Sequence, residues 1–240
     1  MPKDKTDIPL DDGKYHMLLC ASGSVATIKI PVIVAALGRY RNISIRIILT
    51  KSATAFLAGQ STEQPDLHTI STSPYVDGIY EDEDEWKQPW VRGNKILHIE
   101  LRRWADIMVV APLSANSLAK IAGGLCDNLL LSTIRAWDTT GELDLVRHGL
   151  EKKVIVVAPA MNTAMWKQPI TALHVKLLEN DWGVDNGGWI QVLRPAEKEL
   201  ACGDTGIGAM TNFQEIVNVI VTRLGLEESN DAVRNLESSQ

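Results

Sequence analysis

The sequence predicts a doubly wound parallel α/β sheet with helices on both faces, built as one domain. Three observations predict it. Short apolar runs rich in β-branched residues recur along the chain, at YHMLLC (15–20), SIRIIL (44–49), IMVVA (107–111), VIVVA (154–158) and WIQVL (189–193). Continuous apolar strands of this kind are buried on both faces, as a parallel sheet covered by its own crossover helices demands. Helical patterns separate the runs, and 240 residues with 45% hydrophobic and 22% charged side chains suffice for one large core.

Taken in order, residues 1–13 are polar with two prolines and read as a disordered leader. The globular domain is expected over 14–225. Strand 15–20 runs into a turn at Ser22, Gly23 and Ser24, and a helix follows to about Tyr40. A second strand covers 44–49. The stretch 61–90 is polar, rich in Pro and acidic, and reads as a surface excursion whose EDEDE run (81–85) forms a solvated acidic face. ILHIELRRW carries a short helical pattern with His98, Arg102 and Arg103 just before strand 107–111. Ser114 opens the next helix. Residues 139–152 read as a loop inserted before strand 154–158. NFQEIVNVIVTRL (212–224) is a closing amphipathic helix, and 226–240 is an acidic tail without core periodicity.

The composition excludes several classes. A formal net charge of −6 argues against non-specific nucleic-acid binding, which needs a basic surface. No apolar run approaches the roughly 20 residues of a membrane-spanning helix, and the N-terminus lacks the apolar segment of a secretory signal. The three cysteines, Cys20, Cys126 and Cys202, are widely spaced and fit free thiols in the cytoplasm better than a disulfide framework. No C-x-x-C occurs, so no structural metal site is expected.

Ligands of parallel sheets gather at the carboxyl ends of the strands, and five segments fall there. CASGSVATIK after the first strand is either a tight turn or a loop whose small residues admit a phosphate; it is neither G-x-G-x-x-G nor a P-loop. Thr50-Lys51-Ser52 after the second strand reads first as a helix cap. Ser114, Ala115, Asn116 and Ser117, in APLSANSLAKIAGG, favour a polar ligand somewhat more than capping alone. In APAMNTAMW, Asn162 offers amide donors and an acceptor able to hold a carboxylate, and Met161, Met165 and Trp166 offer an apolar wall for a flat ring. LACGDTGIGAM (200–210) reads as a glycine-rich flap around Cys202. Position alone assigns His98 no role.

ILHIELRRWAD, APLSANSLAKIAGGLCDNLL, APAMNTAMW and ACGDTGIGAM, in this order and spacing, resemble the homo-oligomeric flavin-containing cysteine decarboxylases, and the likeness runs from Tyr15 to Leu224. The resemblance implies a flavodoxin-like, Rossmann-like subunit, a homotrimer, and FMN bound between neighbours. It puts FMN against Gly23, Ser24 and Val25, then Thr50 and Ser52, then Ser114 to Ser117, with the backbone near Ala160 and, less strongly, Phe56. It makes His98 the essential histidine, Asn162 the substrate-carboxylate ligand and Cys202 the reactive thiol.

The chemistry so implied is decarboxylation of 4'-phosphopantothenoylcysteine to 4'-phosphopantetheine in coenzyme A biosynthesis, in the cytoplasm. The substrate thiol is oxidised to a thioaldehyde, the thiocarbonyl takes up the electrons left by carbon dioxide, and the enethiolate is reduced again, so there is no net redox change. His98 is then the base or orienting group of the oxidative half, and Cys202 the proton donor of the reductive half. Two other readings stand beside it. Related fungal proteins act as phosphatase regulators or need a partner subunit, so an inhibitory subunit of a protein phosphatase, alone or as a second role, is one. The same fold and cofactor acting on a peptide C-terminal cysteine or a prenyl donor is the other.

Overall fold

A computed structural model describes residues 12–40, 42–61, 66–144, 147, 149–199 and 205–228. In chain order the elements are β1 (Tyr15–Ala21), a 3-10 turn (Val25–Lys29), α1 (Ile30–Leu37), β2 (Ile43–Leu49), α2 (Lys51–Thr54), α3 (Leu67–Ser71), β3 (Val76–Tyr80), α4 (Asp82–Glu85) and α5 (Leu97–Trp104). There follow β4 (Ile107–Leu113), α6 (Ala115–Gly123), α7 (Leu129–Arg135), β5 (Val154–Pro159), α8 (Thr163–Trp166), α9 (Pro169–Lys176), β6 (Ile190–Val192), β7 (Ala196–Glu199), β8 (Thr205–Ala209) and α10 (Phe213–Leu224).

Six strands form one sheet in the order β3-β2-β1-β4-β5-β6, every pair parallel. The chain works outward from β1 to β3, then returns to β4 beside β1, so the direction of winding reverses between β1 and β4. That reversal opens a crevice at the carboxyl ends of the two central strands. Alternation along the strands explains the two layers. Met17, Leu19 and Ala21 face one side with Ile45, Ile47 and Val109, where α1 and α10 bring Ile33, Leu37, Ile216 and Ile220. Leu18 and Cys20 face the other with Met108 and Val110, against Leu101 and Trp104 of α5, Leu118 of α6 and Leu130 of α7. Both faces are covered, which is why these runs are mostly apolar; His16 of β1 and Arg46 of β2 are buried exceptions, each against the Trp104 ring.

Four expectations need correction. The stretch 61–90 is not only a surface excursion: it supplies the edge strand β3, paired with β2, and two short helices. The acidic run is not a solvated face, as described below. The glycine-rich flap contains a strand, since β8 pairs antiparallel with β7 from Ala196↔Ala209 to Glu199↔Thr205; residues 200–204, and with them Cys202, lie outside the described residues. At the start of the expected tail, Leu226 is buried in the core and Glu228 bridges Tyr40. The leader to residue 11 and the chain beyond 228 are outside the described residues.

The described part of the insertion at 139–152 contains no helix or strand and is organised by one carboxylate. Asp138 Oδ1 accepts from the N–H of Thr140 and Gly141 and from the Thr140 hydroxyl, and Oδ2 accepts from the N–H of Leu143 and Asp144. The loop so shaped presents Asp144 to Arg102 and to the buried Lys153. Lys153 also donates to the carbonyls of Arg102 and Arg103, which are orphan acceptors at the C-terminus of α5. Arg102 is therefore no part of a solvated face, whereas Arg103 is 52% exposed beside Glu100.

Candidate active site

A cavity of about 800 Å³ opens at the carboxyl edge of the sheet. Gly23, Ser24 and Val25 line it from the end of β1, Ser52 and Phe56 from the end of β2, Ser114 to Asn116 from the end of β4, and Ala160 to Asn162 from the end of β5. Thus four separate strand ends converge on one space.

Local chemistry fixes each wall. Ser24 accepts from the N–H of Ala26 and caps the 3-10 turn, while Ser22 ties the β1 loop to β4 by donating to Pro112 O and accepting from Ser114 N–H at 2.8 Å. Ser114 Oγ in turn accepts from Ser117 N–H and caps α6, which leaves the N-terminus of this nine-residue helix beside the cavity. Gly23 is required by packing: a Cβ there would stand 2.6 Å from Ser52 Oγ and 2.7 Å from Ser52 Cβ. Asn162 caps α8, with its Oδ1 accepting Met165 N–H at 2.8 Å.

Two expected contacts stand behind the wall rather than in it. Thr50 Oγ1 caps α2 by accepting from Ala53 N–H and lies 3.3 Å from Ser52 Oγ. Ser117 is buried and accepts from the Ser114 hydroxyl. Trp166, expected beside Met161 and Met165, packs into the core, while both methionines line the cavity. Sequence reasoning placed the glycine-rich stretch 200–210 at this edge but missed the helix start after it, Thr211 to Gln214, as part of the wall. There the N-terminus of α10 and the strand β8 close the space. Gly208, at φ +143°, accepts from Met161 N–H through its carbonyl, and a Cβ on it would meet Met161 O at 2.3 Å. The available signal was the Asn212 cap following a glycine-rich run.

His98 is not in this cavity. It sits at the start of α5, with Nδ1 2.5 Å from Glu85 Oε1. Glu85 closes the acidic run, and its neighbours also bond inward: Glu81 accepts from the Thr54 hydroxyl at 2.8 Å, and Asp82 accepts from Leu129 N–H at 2.7 Å. The run joins α2, α5 and α7, and this replaces the expectation of a solvated acidic face.

An apolar space walled by Val25, Phe56, Met161, Met165, Met210 and Phe213, rimmed by Ser24, Ser52, Ser114, Asn116 and Asn162, suits a flat ring system carrying a polar chain. Fold and site together define a flavodoxin-like ligand-binding domain. The chain belongs to the Flavoprotein family, whose match covers residues 6–225. It is 43% identical over 220 residues to phosphopantothenoylcysteine decarboxylase of Arabidopsis thaliana, covering 91% of this chain and 90% of that protein. It is 40% identical over 231 residues, 95% of this chain, to a probable thymidylate synthase of Schizosaccharomyces pombe, but spans only 33% of it; in two further fungal relatives it spans 34% and 41%. Among solved structures it is similar to a cysteine-to-serine mutant of PPC decarboxylase complexed with pantothenoylaminoethenethiol, with TM-score 0.69 and 42% identity over 87% of this chain and 97% of that one.

Proposed function

We propose that the chain binds FMN and decarboxylates 4'-phosphopantothenoylcysteine to 4'-phosphopantetheine, in the cytoplasm, as a homotrimer. The observation that carries the reading is the convergence of four strand ends on one cavity whose walls suit an isoalloxazine ring and a ribityl phosphate. Residues 14–225 are the catalytic unit in this reading. When bound, FMN supplies the reversible two-electron chemistry that an amino-acid side chain cannot.

The chain's own residues bind, orient and move protons. Ser24, Ser52 and Asn116 donate to the polar chain of the cofactor, with Ser114, Val25, Ala115, Phe56 and the backbone at Ala160 against it. Thr50 and Ser117 hold Ser52 and Ser114 in place. Asn162 has its oxygen engaged by the helix cap, so its two N–H donors face a carboxylate. Cys202, assigned by resemblance, donates the last proton. The ordinary thiol pKa of ~8.5 keeps such a group protonated at neutral pH. The related cysteine-to-serine mutant complexed with an enethiol supports that order of events.

His98 is the base, and a neighbouring subunit supplies it. That it does not line the cavity of its own chain supports a site shared between subunits. So do the exposed Trp86, Trp90, Val91 and Ile96 on the segment between Glu85 and His98, an apolar surface that association would cover. Among the described residues no helix is long and apolar enough to cross a membrane. Regulation of a phosphatase, or assembly with a different subunit, is retained as a second role; the surface it would use is not Glu81, Asp82 and Glu85, which bond inside the subunit.

The test is to purify the full chain, identify the bound flavin by its visible spectrum and chromatography, and measure carbon dioxide release from 4'-phosphopantothenoylcysteine. A protein that is colourless and cannot be loaded with FMN overturns the cofactor assignment. A yellow protein that releases no carbon dioxide overturns the substrate. Cys202→Ser is expected to release carbon dioxide yet accumulate the enethiol; full formation of 4'-phosphopantetheine would remove Cys202 from the mechanism.

A further inference from the structure

We propose that Glu85 is the positioning residue of His98: its carboxylate fixes the proton on Nδ1 and leaves Nε2 as the nitrogen that exchanges a proton with the reacting group. The inference rests on the decarboxylase reading above, in which His98 is the base.

The geometry is that of an oriented imidazole. Glu85 Oε1 lies 2.5 Å from His98 Nδ1, and the Glu85 side chain is 4% exposed while that of His98 is 26% exposed. A carboxylate can only accept, so Nδ1 is the donor and keeps its proton in both protonation states of the ring. Nε2 has no hydrogen-bond partner among the described residues, and the side chain that carries it is partly exposed. Burying a carboxylate is costly unless it is paired, and the imidazole N–H is that pair.

The carboxylate is itself held rigidly, which an incidental surface pair would not need. Glu85 ends α4, a single turn closed by a reciprocal capping box between Glu81 and Asp84. Asp82 fastens that turn to the N-terminus of α7, and Glu81 fastens it to Thr54 of α2. Since α2 also carries Ser52 of the cavity wall, one short acidic segment sets both the histidine and one side of the cavity. At the other end of α5, Lys153 holds the carbonyls of Arg102 and Arg103, so the helix bearing His98 is fixed at both ends.

The experiment uses the flavin-loaded full chain labelled with 15N-histidine, with His98→Asn identifying the His98 signals among the five histidines. In the wild type the neutral His98 ring is expected to carry its proton on Nδ1. Glu85→Gln keeps the size of the side chain but presents an amide that can donate. It is expected to shift the ring toward the Nε2–H form and to lower kcat by about tenfold or more, the usual effect of losing such a partner, with KM unchanged and the yellow colour retained. Glu83→Gln makes the same charge change on an exposed neighbour and is expected to turn over normally. Should Glu85→Gln not fold, Glu85→Asp, which keeps the charge and shortens the reach, carries the same two readouts.

A wild-type ring with its proton on Nε2 overturns the proposal. So does a Glu85→Gln protein with normal kcat, or one whose kcat falls while the His98 tautomer stays unchanged. A wild type that releases no carbon dioxide overturns the decarboxylase reading instead, and the wild-type and Glu85→Gln spectra then decide whether Glu85 sets the tautomer.

Discussion

The side-chain oxygen of Asn162 accepts the backbone N–H of Met165 at 2.8 Å, and this single bond decides which half of the amide can meet a ligand. The oxygen is committed to the N-terminus of α8. The NH2 group remains for the cavity, where a carboxylate is the acceptor it suits.

Asn162→Asp should therefore separate fold from function. An aspartate caps a helix as well as asparagine does, so the thermal midpoint and flavin content should match the wild type. Its free oxygen would repel a substrate carboxylate, and decarboxylation should fall by at least about tenfold, a loss of ~1.4 kcal/mol of transition-state stabilisation. Near-normal turnover by Asn162→Asp would show that this amide does not hold the carboxylate. Asn162→Ala, by contrast, should lose about 1 kcal/mol of stability with the cap.

Gly23→Ala tests the wall between β1 and β2. The added methyl would stand 2.7 Å from Ser52 Cβ, so one loop must move. Overpacking of this kind costs typically 1–3 kcal/mol. Because both loops line the cavity, flavin affinity measured by fluorescence titration should fall together with stability. Ser52→Gly in the same chain should restore part of the stability. Unchanged flavin binding in Gly23→Ala would mean that the cofactor lies elsewhere.

These contrasts show what the sequence could carry. The central strands were legible because they are buried on both faces, and short β-branched runs such as VIVVA, ended by Ala-Pro, favour a strand over a buried helix. Strand β3 was not, since VDGIY sits at the sheet edge, is only half buried, and contains an aspartate and a glycine. The strand-end wall was legible as small and hydroxylic residues following each apolar run. The part from Thr211 to Gln214 was not, because it comes from a helix start that follows a hairpin rather than a strand of the sheet. The acidic run could not be read correctly from sequence at all. Charge density predicts solvent exposure, whereas Asp82 and Leu129 are 47 residues apart and Glu85 and His98 are 13 apart. Only the folded chain brings those pairs together.

Asp138 supplies a prediction about acid stability. Burial pushes its carboxyl up, but the N–H groups of Asp144, Leu143 and Thr140 and the Thr140 hydroxyl outweigh it and hold the pKa well below the usual carboxylate range. A depressed folded pKa means that the unfolded chain takes up the proton first as pH falls. The stabilisation is thus complete above the usual carboxylate range and is lost as pH falls through the lower folded value. Asp138→Asn, which leaves some of these donors unpaired, should lose about 2 kcal/mol or more at pH 7. For a chain of this size that is roughly 4–8 °C in Tm. The gap from wild type should narrow at pH 3. A gap equal at both pH values would mean that the charge of Asp138 contributes nothing.

The placement of His98 outside the cavity of its own chain leads to the sharpest test of a shared site. If each cavity is completed by the histidine of a neighbour, His98→Asn and Asn162→Asp damage different halves of the same site. Each variant alone should fall at least about tenfold below wild type, since every interface in its assembly lacks one half. Co-expressed with different affinity tags and purified through both, the two variants form mixed assemblies. Some of their interfaces pair an intact Asn162 cavity with an intact His98. In a ring of three, every assembly that carries both tags has about one interface in three intact in both halves, so activity should return to about a third of wild type. Light scattering on the same sample checks that the assembly is a trimer. The test does not depend on either substitution preserving full stability, because rescue can arise only from complementary halves meeting. Mixed assemblies of normal size that remain inactive would place His98 and Asn162 in the same half of the site, and His98 would then have to reach the cavity within its own chain.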